Sequence, residues 1–374
     1  MKRVLINIQT ISFAGRSVLE GILKYTSGNC DWNIDLSIKP DELTGRLLRQ
    51  APNAGYDGIL VNHTGTAGAD SALLETALPV ATVELHEKCI LNRRRNTASV
   101  WIRNDLIGEI ASRHFLSLGR FKSYVFYSTK TSEPWSEGRW RGFRKILKSR
   151  NITPAVATSE TLDEMLKLPR PIAVMAAADF LAVDVLTACR QRGLRVPEDA
   201  SVIGVDCDPL LCEFSRPSLT SVDPDFAQLG YAAAAALDRM MNARKATPVR
   251  NIHCKPKGLR ERDSTRFLSP AAALVERAKS IIAHEACRGL SVRDLSLRLG
   301  VSARLLSLRF RQHEKRTVRE EILNTRLERV KTALARPHGS LAALASECGF
   351  SSANRLAHLF KQRFGMSMRE YAHT

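Results

Sequence analysis

No stretch of this chain approaches the ~18–20 consecutive apolar residues that a membrane-spanning helix needs, so no transmembrane segment is expected. The opening Met1-Lys2-Arg3-Val4-Leu5-Ile6-Asn7-Ile8 carries basic residues, but its apolar run is too short for the core of an export signal, and the expected compartment is the cytoplasm. Eight cysteines (30, 89, 189, 207, 212, 254, 287 and 348) form no CxxC pair and no Cys/His cluster with zinc spacing. Reduced core thiols are expected from them, with no metal site. A GxSxG elbow, a P-loop, an HExxH pair and a GxGxxG after the first strand are all missing, which removes the signatures of common hydrolases, NTPases, metalloproteases and dinucleotide enzymes. Nothing calls for a cofactor. The nearest thing to a catalytic pair is Asp206 with Asp208, the basis of an alternative reading as a sugar-modifying enzyme.

What is abundant is positive charge. The 374 residues carry a formal net charge of +18, which points to a polyanionic partner. The surplus is densest at the carboxyl end, where residues 271–374 hold 19 Lys+Arg against 9 Asp+Glu. With 44% hydrophobic residues the chain can build real cores, and its length suits two or three domains.

The basic end contains one pattern twice. The first copy reads Ser291-Val292-Arg293-Asp294-Leu295-Ser296-Leu297-Arg298-Leu299-Gly300-Val301-Ser302 and runs on through Leu306 to Phe310. The second reads Ser340-Leu341-Ala342-Ala343-Leu344-Ala345-Ser346-Glu347-Cys348-Gly349-Phe350-Ser351 and runs on through Leu356 to Phe360. Matched positions are 49 apart up to the glycine and 50 apart beyond it. Each copy has a hydroxyl helix start, an apolar i/i+3/i+4 stripe, a glycine for a turn with φ > 0, and a second capped helix. That is a helix-turn-helix, whose second helix enters the DNA major groove. The two units are placed at about 291–313 and 340–364.

Up to about residue 265 the chain alternates β-branched runs with helical stretches, the pattern of parallel sheets covered by helices. Strands are expected at 4–8, 34–38, 58–62, 79–84, 123–127, 172–177 and 201–206, and helices at 16–25, 105–118, 138–148, 179–190 and 226–241. The basic Asn92–Asn96 reads as a loop and the charged 260–269 as a linker. Two half-sheets whose strand ends share a crevice suit a two-lobed α/β ligand-binding domain over 1–265, followed by an all-α domain over 266–374.

Tyr56-Asp57-Gly58-Ile59-Leu60-Val61, His114 to Gly119, Gly193-Leu194-Arg195-Val196-Pro197-Glu198-Asp199-Ala200-Ser201-Val202-Ile203-Gly204-Val205-Asp206 and Pro217-Ser218-Leu219-Thr220-Ser221-Val222 resemble the sugar-sensing core of LacI-type repressors. That core is similar to periplasmic sugar-binding proteins. LacI repressors place their DNA reader ahead of it, whereas here the duplicated helices follow it. Those helices resemble the AraC-type DNA-binding domain through Ala345, Cys348-Gly349-Phe350, Phe360-Lys361, Gly365, Ser367 and Tyr371. Leu356 stands where that family usually has an aromatic, Met368 where it has proline, and Lys315 where the first unit often has glycine. A LacI-like sensor joined to a carboxyl-terminal AraC-like reader resembles the xylose-responsive regulators. The resemblance implies promoter DNA, a small sugar such as D-xylose, RNA polymerase and a second copy of the chain as partners, and a transcription activator as the role. A regulator of the same build that answers another small polar ligand is the alternative.

Transferred onto matching positions, the resemblance places the sugar site on Glu84, Arg139, Asp179 and Asp206, with Phe13, Arg16 and His63 at the same crevice. Arginine suits vicinal hydroxyls because its donors form a rigid fork. Asp179 has a competing role as a helix cap. Ala178 replaces a frequent ligand-binding asparagine and Cys207 a frequent second aspartate. On the reader, Leu306, Phe310, Leu356, Leu359 and Phe360 are expected in the core. Base contacts are expected from Arg304, Ser307 and Leu308 and from Asn354, Arg355 and His358. Phosphate contacts are expected from Arg309, Arg311, Lys361 and Arg363, which give affinity without sequence information. Between the units, Leu323, Leu327, Val330 and Leu334 at helical spacing predict a connecting rod over 319–335.

Overall fold

The computed structural model describes residues 1–38, 44–62, 67–84, 94–129, 133–267, 270–334 and 340–372. The chain divides into two compact units, Met1–Phe267 and Leu268–Thr374.

The first unit is built on two six-stranded sheets. One contains β1 (Lys2–Asn7), β2 (Trp32–Ser37), β3 (Gly58–Asn62), β4 (Val80–Glu84), β5 (Thr97–Ile102) and β11 (Arg250–Cys254), in the order β11-β5-β4-β3-β1-β2, all parallel. The other contains β6 (Ser123–Tyr127), β7 (Ala155–Ala157), β8 (Ile172–Ala176), β9 (Ala200–Val205), β10 (Thr220–Asp223) and β12 (Gly258–Arg260), in the order β12-β10-β9-β8-β6-β7. Only β12 runs antiparallel to its neighbour. The central strands are buried on both faces, as Ala200–Val205 shows, which is why they read as continuous apolar runs rather than alternations.

Helices α1 (Phe13–Asn29), α2 (Gly45–Gln50) and α3 (Ala67–Glu75) belong to the first lobe, and α4 (Asn104–Leu118), α5 (Pro134–Lys148), α6 (Leu162–Met165), α7 (Asp179–Gln191) and α8 (Pro209–Phe214) to the second. The chain then returns, and α9 (Phe226–Met241) packs with α1 on the first sheet. Three segments therefore link the lobes: Ile102–Asn104, Asp223–Phe226 and Cys254–Gly258. They are tied by Arg103 N donating to Cys254 O (3.0 Å) and Lys257 N donating to Asp223 O (2.9 Å). Asp225 (φ 62°) and Gly258 (φ 135°) adopt positive φ within this crossing.

The stretch expected to be a free linker belongs to the sensor as far as Phe267. Ser264 and Thr265 are fully buried, and Ser264 Oγ both donates to Val202 O and accepts from Thr220 N (2.8 Å). Small hydroxyls that satisfy sheet-edge groups look, by composition alone, like a polar tether. The expected helix cap at Ser269 and the loop residues Asn92 and Arg93 lie outside the described residues.

The second unit is all helical: α10 (Pro270–Glu285), α11 (Val292–Leu299), α12 (Ala303–Glu314), α13 (Val318–Leu334), α14 (Leu341–Glu347), α15 (Ala353–Phe364) and α16 (Met368–Ala372). It holds two cores. Val275, Ile282, Leu295, Leu306, Phe310 and Ile322 are in one, and Leu327, Val330, Leu344, Leu356, Phe360 and Met368 in the other. Helix α13 gives its first half to one core and its second half to the other.

Candidate sensor site and nucleic-acid interface

Helix α5 carries Arg139, and its seat is set by glycines. A Cβ on Gly108 of α4 would lie 2.0 Å from Arg139 O, and one on Gly142 would lie 1.9 Å from Asp105 O. The two helix backbones touch there, which fixes Arg139 at the carboxyl edge of the second sheet. The side chain is 5% exposed. Its Nε donates to Asn104 Oδ1 (3.1 Å), Nη1 to Ala177 O, and Nη2 to Asp206 Oδ1 (3.4 Å). The Trp135 ring lies under the guanidinium, 4.8 Å from its carbon. A buried charge without such a partner would cost about 3–5 kcal/mol, so the Asp206 pairing is required as well as available.

Asp206 remains partly open, with 24% of its side chain exposed. Desolvation holds its carboxyl above the usual range, opposed by the attraction of Arg139. Both Asp206 (φ 118°) and Cys207 (φ 56°) take positive φ without being glycine. Such backbone costs on the order of 1–3 kcal/mol per residue and tends to mark ligand clamps. It is pinned by Asp206 N donating to Val222 O (3.1 Å) and Cys207 N donating to Ser221 Oγ (3.0 Å). Cys207 is thereby turned inward, and Ala178 is buried as the N-cap of α7 with no cap hydrogen bond from its side chain.

Asp179 opens α7 but does not cap it through its side chain. It is 1% exposed and accepts from Ser221 Oγ (2.6 Å), Asp208 N (2.8 Å) and Cys212 Sγ (3.5 Å). Burial raises its carboxyl, and the nearby Asp206 raises it further. Gly204 makes the room, since a Cβ there would lie 2.2 Å from Asp179 Oδ1. Its place in the structure is a tie that braces the Asp206–Asp208 loop.

In the first lobe, Phe13 opens α1 behind the cap Ser12, whose hydroxyl accepts from Gly15 N (3.2 Å). Arg16 is exposed, but its Nη1 donates to Thr10 O (2.9 Å) and Ile11 O (3.0 Å), shaping its own loop. A small cavity of about 70 Å³ beside them is lined by Gln9, Ser12, Asn62 and Val83 among others. Glu84 ends β4, and its side chain and all of His63 lie outside the described residues. Asn104, Trp135, Gln9 and Asn62 were not singled out from sequence. The signal available for them was position: each sits at or just past a strand's carboxyl end, or one helical turn from Arg139.

In the helical domain the inward residues Leu306, Phe310, Leu356 and Phe360 are fully buried, and Leu359 is partly so. Arg304, Ser307, Leu308, Asn354, Arg355 and His358 are all exposed, Leu308 by 52%. Arg311, Lys361 and Arg363 are exposed, and Arg309 is half-buried with Nη1 donating to Gln312 Oε1 (3.1 Å). Arg355 also lines a groove between the two units, together with Arg293, Arg319 and Arg326. Caps Ser302 and Ser352 accept from Leu305 N (3.1 Å) and Arg355 N (3.2 Å). Lys315 ends α12 in the left-handed conformation (φ 58°), where Gly365 ends α15 (φ 74°).

The duplication continues further than the matched turns suggest. Thr317 and Glu320 form a reciprocal cap, with Thr317 N donating to Glu320 Oε2 (2.6 Å) and Glu320 N to Thr317 Oγ1 (3.2 Å). Fifty residues on, Ser367 and Glu370 repeat it at the same distances. The legible signal was a [ST]-x-x-E motif at both places. Among the described residues no helix is long and apolar enough to cross a membrane, and no group of His, Cys, Asp and Glu is placed to hold a metal ion.

Comparison with known proteins follows the same division. Residues 112–265 match the family described as periplasmic binding protein-like domain, and residues 295–374 a helix-turn-helix domain family. The chain is 28% identical to the xylose operon regulatory protein of Haemophilus influenzae, over 95% of this chain and 94% of that one. It is 27% identical to the protein of the same description from Escherichia coli strain K12, over 95% and 93%. Among solved structures, the xylose-binding transcription activator XylR matches with TM-score 0.61 and 23% identity, over 99% of this chain and 97% of that one. A LacI family regulator of Enterococcus faecium with bound ribose matches with TM-score 0.58 and 20% identity, covering 72% of this chain and 100% of its own.

Proposed function

A homologue of the xylose operon regulatory proteins, this chain is a transcription regulator with a periplasmic-binding-protein-like domain ahead of a helix-turn-helix domain, and we propose that it is switched by a monosaccharide of the D-xylose class. Arg139 carries this reading. It is a buried guanidinium held on edge by Asn104, Ala177 and Trp135 beside a partly open carboxylate, the arrangement that forks onto vicinal hydroxyls. Asp206 accepts from the same hydroxyls, and Asp179 braces the loop that presents it. Phe13 supplies an apolar floor, and Arg16, His63 and Glu84 complete the first-lobe side. The sugar is bound and not transformed.

On the helical domain, Arg304, Ser307, Leu308, Asn354, Arg355 and His358 meet base edges, while Arg309, Arg311, Lys361 and Arg363 meet phosphates. The protein works in the cytoplasm as a homodimer that activates promoters through RNA polymerase. Sugar shifts the population of closed sensors by its differential affinity for that state.

Calorimetry of the full chain with D-xylose, other pentoses and hexoses tests the sensor. One pentose binds, is recovered unchanged, and binds at least about 100-fold more weakly to Arg139→Ala, because several charge-assisted hydrogen bonds of ~1.5–3 kcal/mol each are lost. No binder among these sugars, or equal binding by the variant, sinks the sensor reading.

A further inference from the structure

A groove of about 620 Å³ opens between the two helix-turn-helix units. Its walls are the start of α11, one face of α13, and the turn that leads into α15. At ~30 Å³ per water it holds roughly twenty waters, enough for a strip of a large ligand rather than one small ion.

Four guanidiniums line it, from Arg293, Arg319, Arg326 and Arg355, and no carboxylate does. Arg326 is held in place, with Nε donating to Ala286 O (2.7 Å) and Nη2 to Leu290 O (3.3 Å). Among the described residues Arg293, Arg319 and Arg355 have no ion-pair partner. Several other cations of the domain do: Arg298 meets Glu285, Lys279 meets Glu276 and Glu314, and Arg316 meets Glu314 and Glu321. Asp294, next to Arg293, closes the cap of α11 and is not part of the lining. Four like charges around one concavity repel one another and focus a positive potential into it. An anion seated in the groove relieves that.

The position names the anion. Arg355 stands on α15 beside Asn354, so the groove continues directly from the second reading surface. The two recognition helices meet successive major-groove segments about 34 Å apart. The backbone that separates those segments must pass the surface between the units. We propose that this groove seats the sugar-phosphate backbone of the duplex between the two segments that α12 and α15 enter, with Arg293 and Arg319 each neutralising a phosphate and Arg326 and Arg355 flanking them. The proposal rests on the DNA reading above.

The test uses the full chain and a duplex recovered by selecting that chain against a random double-stranded pool. An Arg293→Ala/Arg319→Ala variant is expected to melt with the wild type, since both side chains are exposed, and to prefer the same sequence. It should bind roughly tenfold more weakly near 0.15 M salt, with a salt slope shallower by about two units, ~0.9 for each phosphate lost. Methylphosphonate linkages, which remove the backbone charge, should weaken wild-type binding when placed between the two contacted segments and leave the variant's binding unchanged. A wild type indifferent to those linkages, or a variant that keeps the wild-type slope, overturns the groove assignment alone. A chain that selects no duplex overturns both the groove and the DNA reading.

Discussion

Helix α12 shows solvent Arg304, Ser307 and a half-exposed Leu308, whereas α15 shows Asn354, Arg355 and His358. Underneath, both helices bury a leucine and a phenylalanine four residues apart, Leu306 with Phe310 and Leu356 with Phe360. Both are opened by serine caps, and both give way to a reciprocal hydroxyl–glutamate cap on the next helix. The two units thus share their buried anchors and helix caps, and differ at the outward positions Arg304/Asn354, Leu305/Arg355 and Leu308/His358. An arginine fork suits guanine and an asparagine suits adenine, so the base contacts proposed above would give the two units different preferences on one scaffold.

The strongest challenge to this comparison removes the matched anchors. Phe310→Ala and Phe360→Ala should each cost about 3–5 kcal/mol, as buried phenylalanine truncations do. Hydrogen exchange followed by mass spectrometry should show loosening centred on α11–α12 for the first and on α14–α15 for the second. Equal loosening of both units by either variant would mean that the two cores are one.

A sharper test exchanges the exits. Lys315→Gly should stabilise the domain by about 0.5–1 kcal/mol, because glycine takes positive φ without strain. Gly365→Ala should destabilise it by about 1–2 kcal/mol for the opposite reason. Urea midpoints measure both, and the same sign for the two would break the equivalence of Lys315 and Gly365.

The smallest effect concerns acid. Backbone and hydroxyl donors of Thr317 and Ser367 hold the Glu320 and Glu370 carboxyls below the usual value of 4.5. A depressed folded value means stability that is complete above 4.5 and lost as pH falls through the lowered range. Glu320→Gln/Glu370→Gln should flatten the thermal stability profile below that pH, each half contributing alike. A profile that keeps its full acid slope would remove the carboxyls from the caps.

The reader was legible because each of its features is local. A cap, a glycine turn and an i/i+3/i+4 stripe lie within a dozen residues, and the Leu323–Leu334 stripe announced α13, although Val318 and Ile322 went unremarked. The sensor's central strands were equally plain, and its architecture followed from them. Its edges were not. Arg250–Cys254 is largely exposed and polar, joins β5 through backbone hydrogen bonds, and carries no alternation to read. Thr97–Ile102 is buried throughout and merges with the basic loop before it. Asp179 shows the limit at the site itself. Its type and place matched a ligand carboxylate, but the donors that meet its oxygens, Ser221 Oγ on β10, Asp208 N at the cap of α8 and Cys212 Sγ within α8, are distant in sequence.

The shared membership of α13 has a mechanical corollary. At ~1.5 Å of rise per residue its 17 residues form a strut of about 25 Å, fastened at each end into a different core. Stretching or shortening the distance between the readers would tear one of those cores open. The helical domain is therefore expected to move as a solid piece, with the spacing of α12 and α15 held by α13.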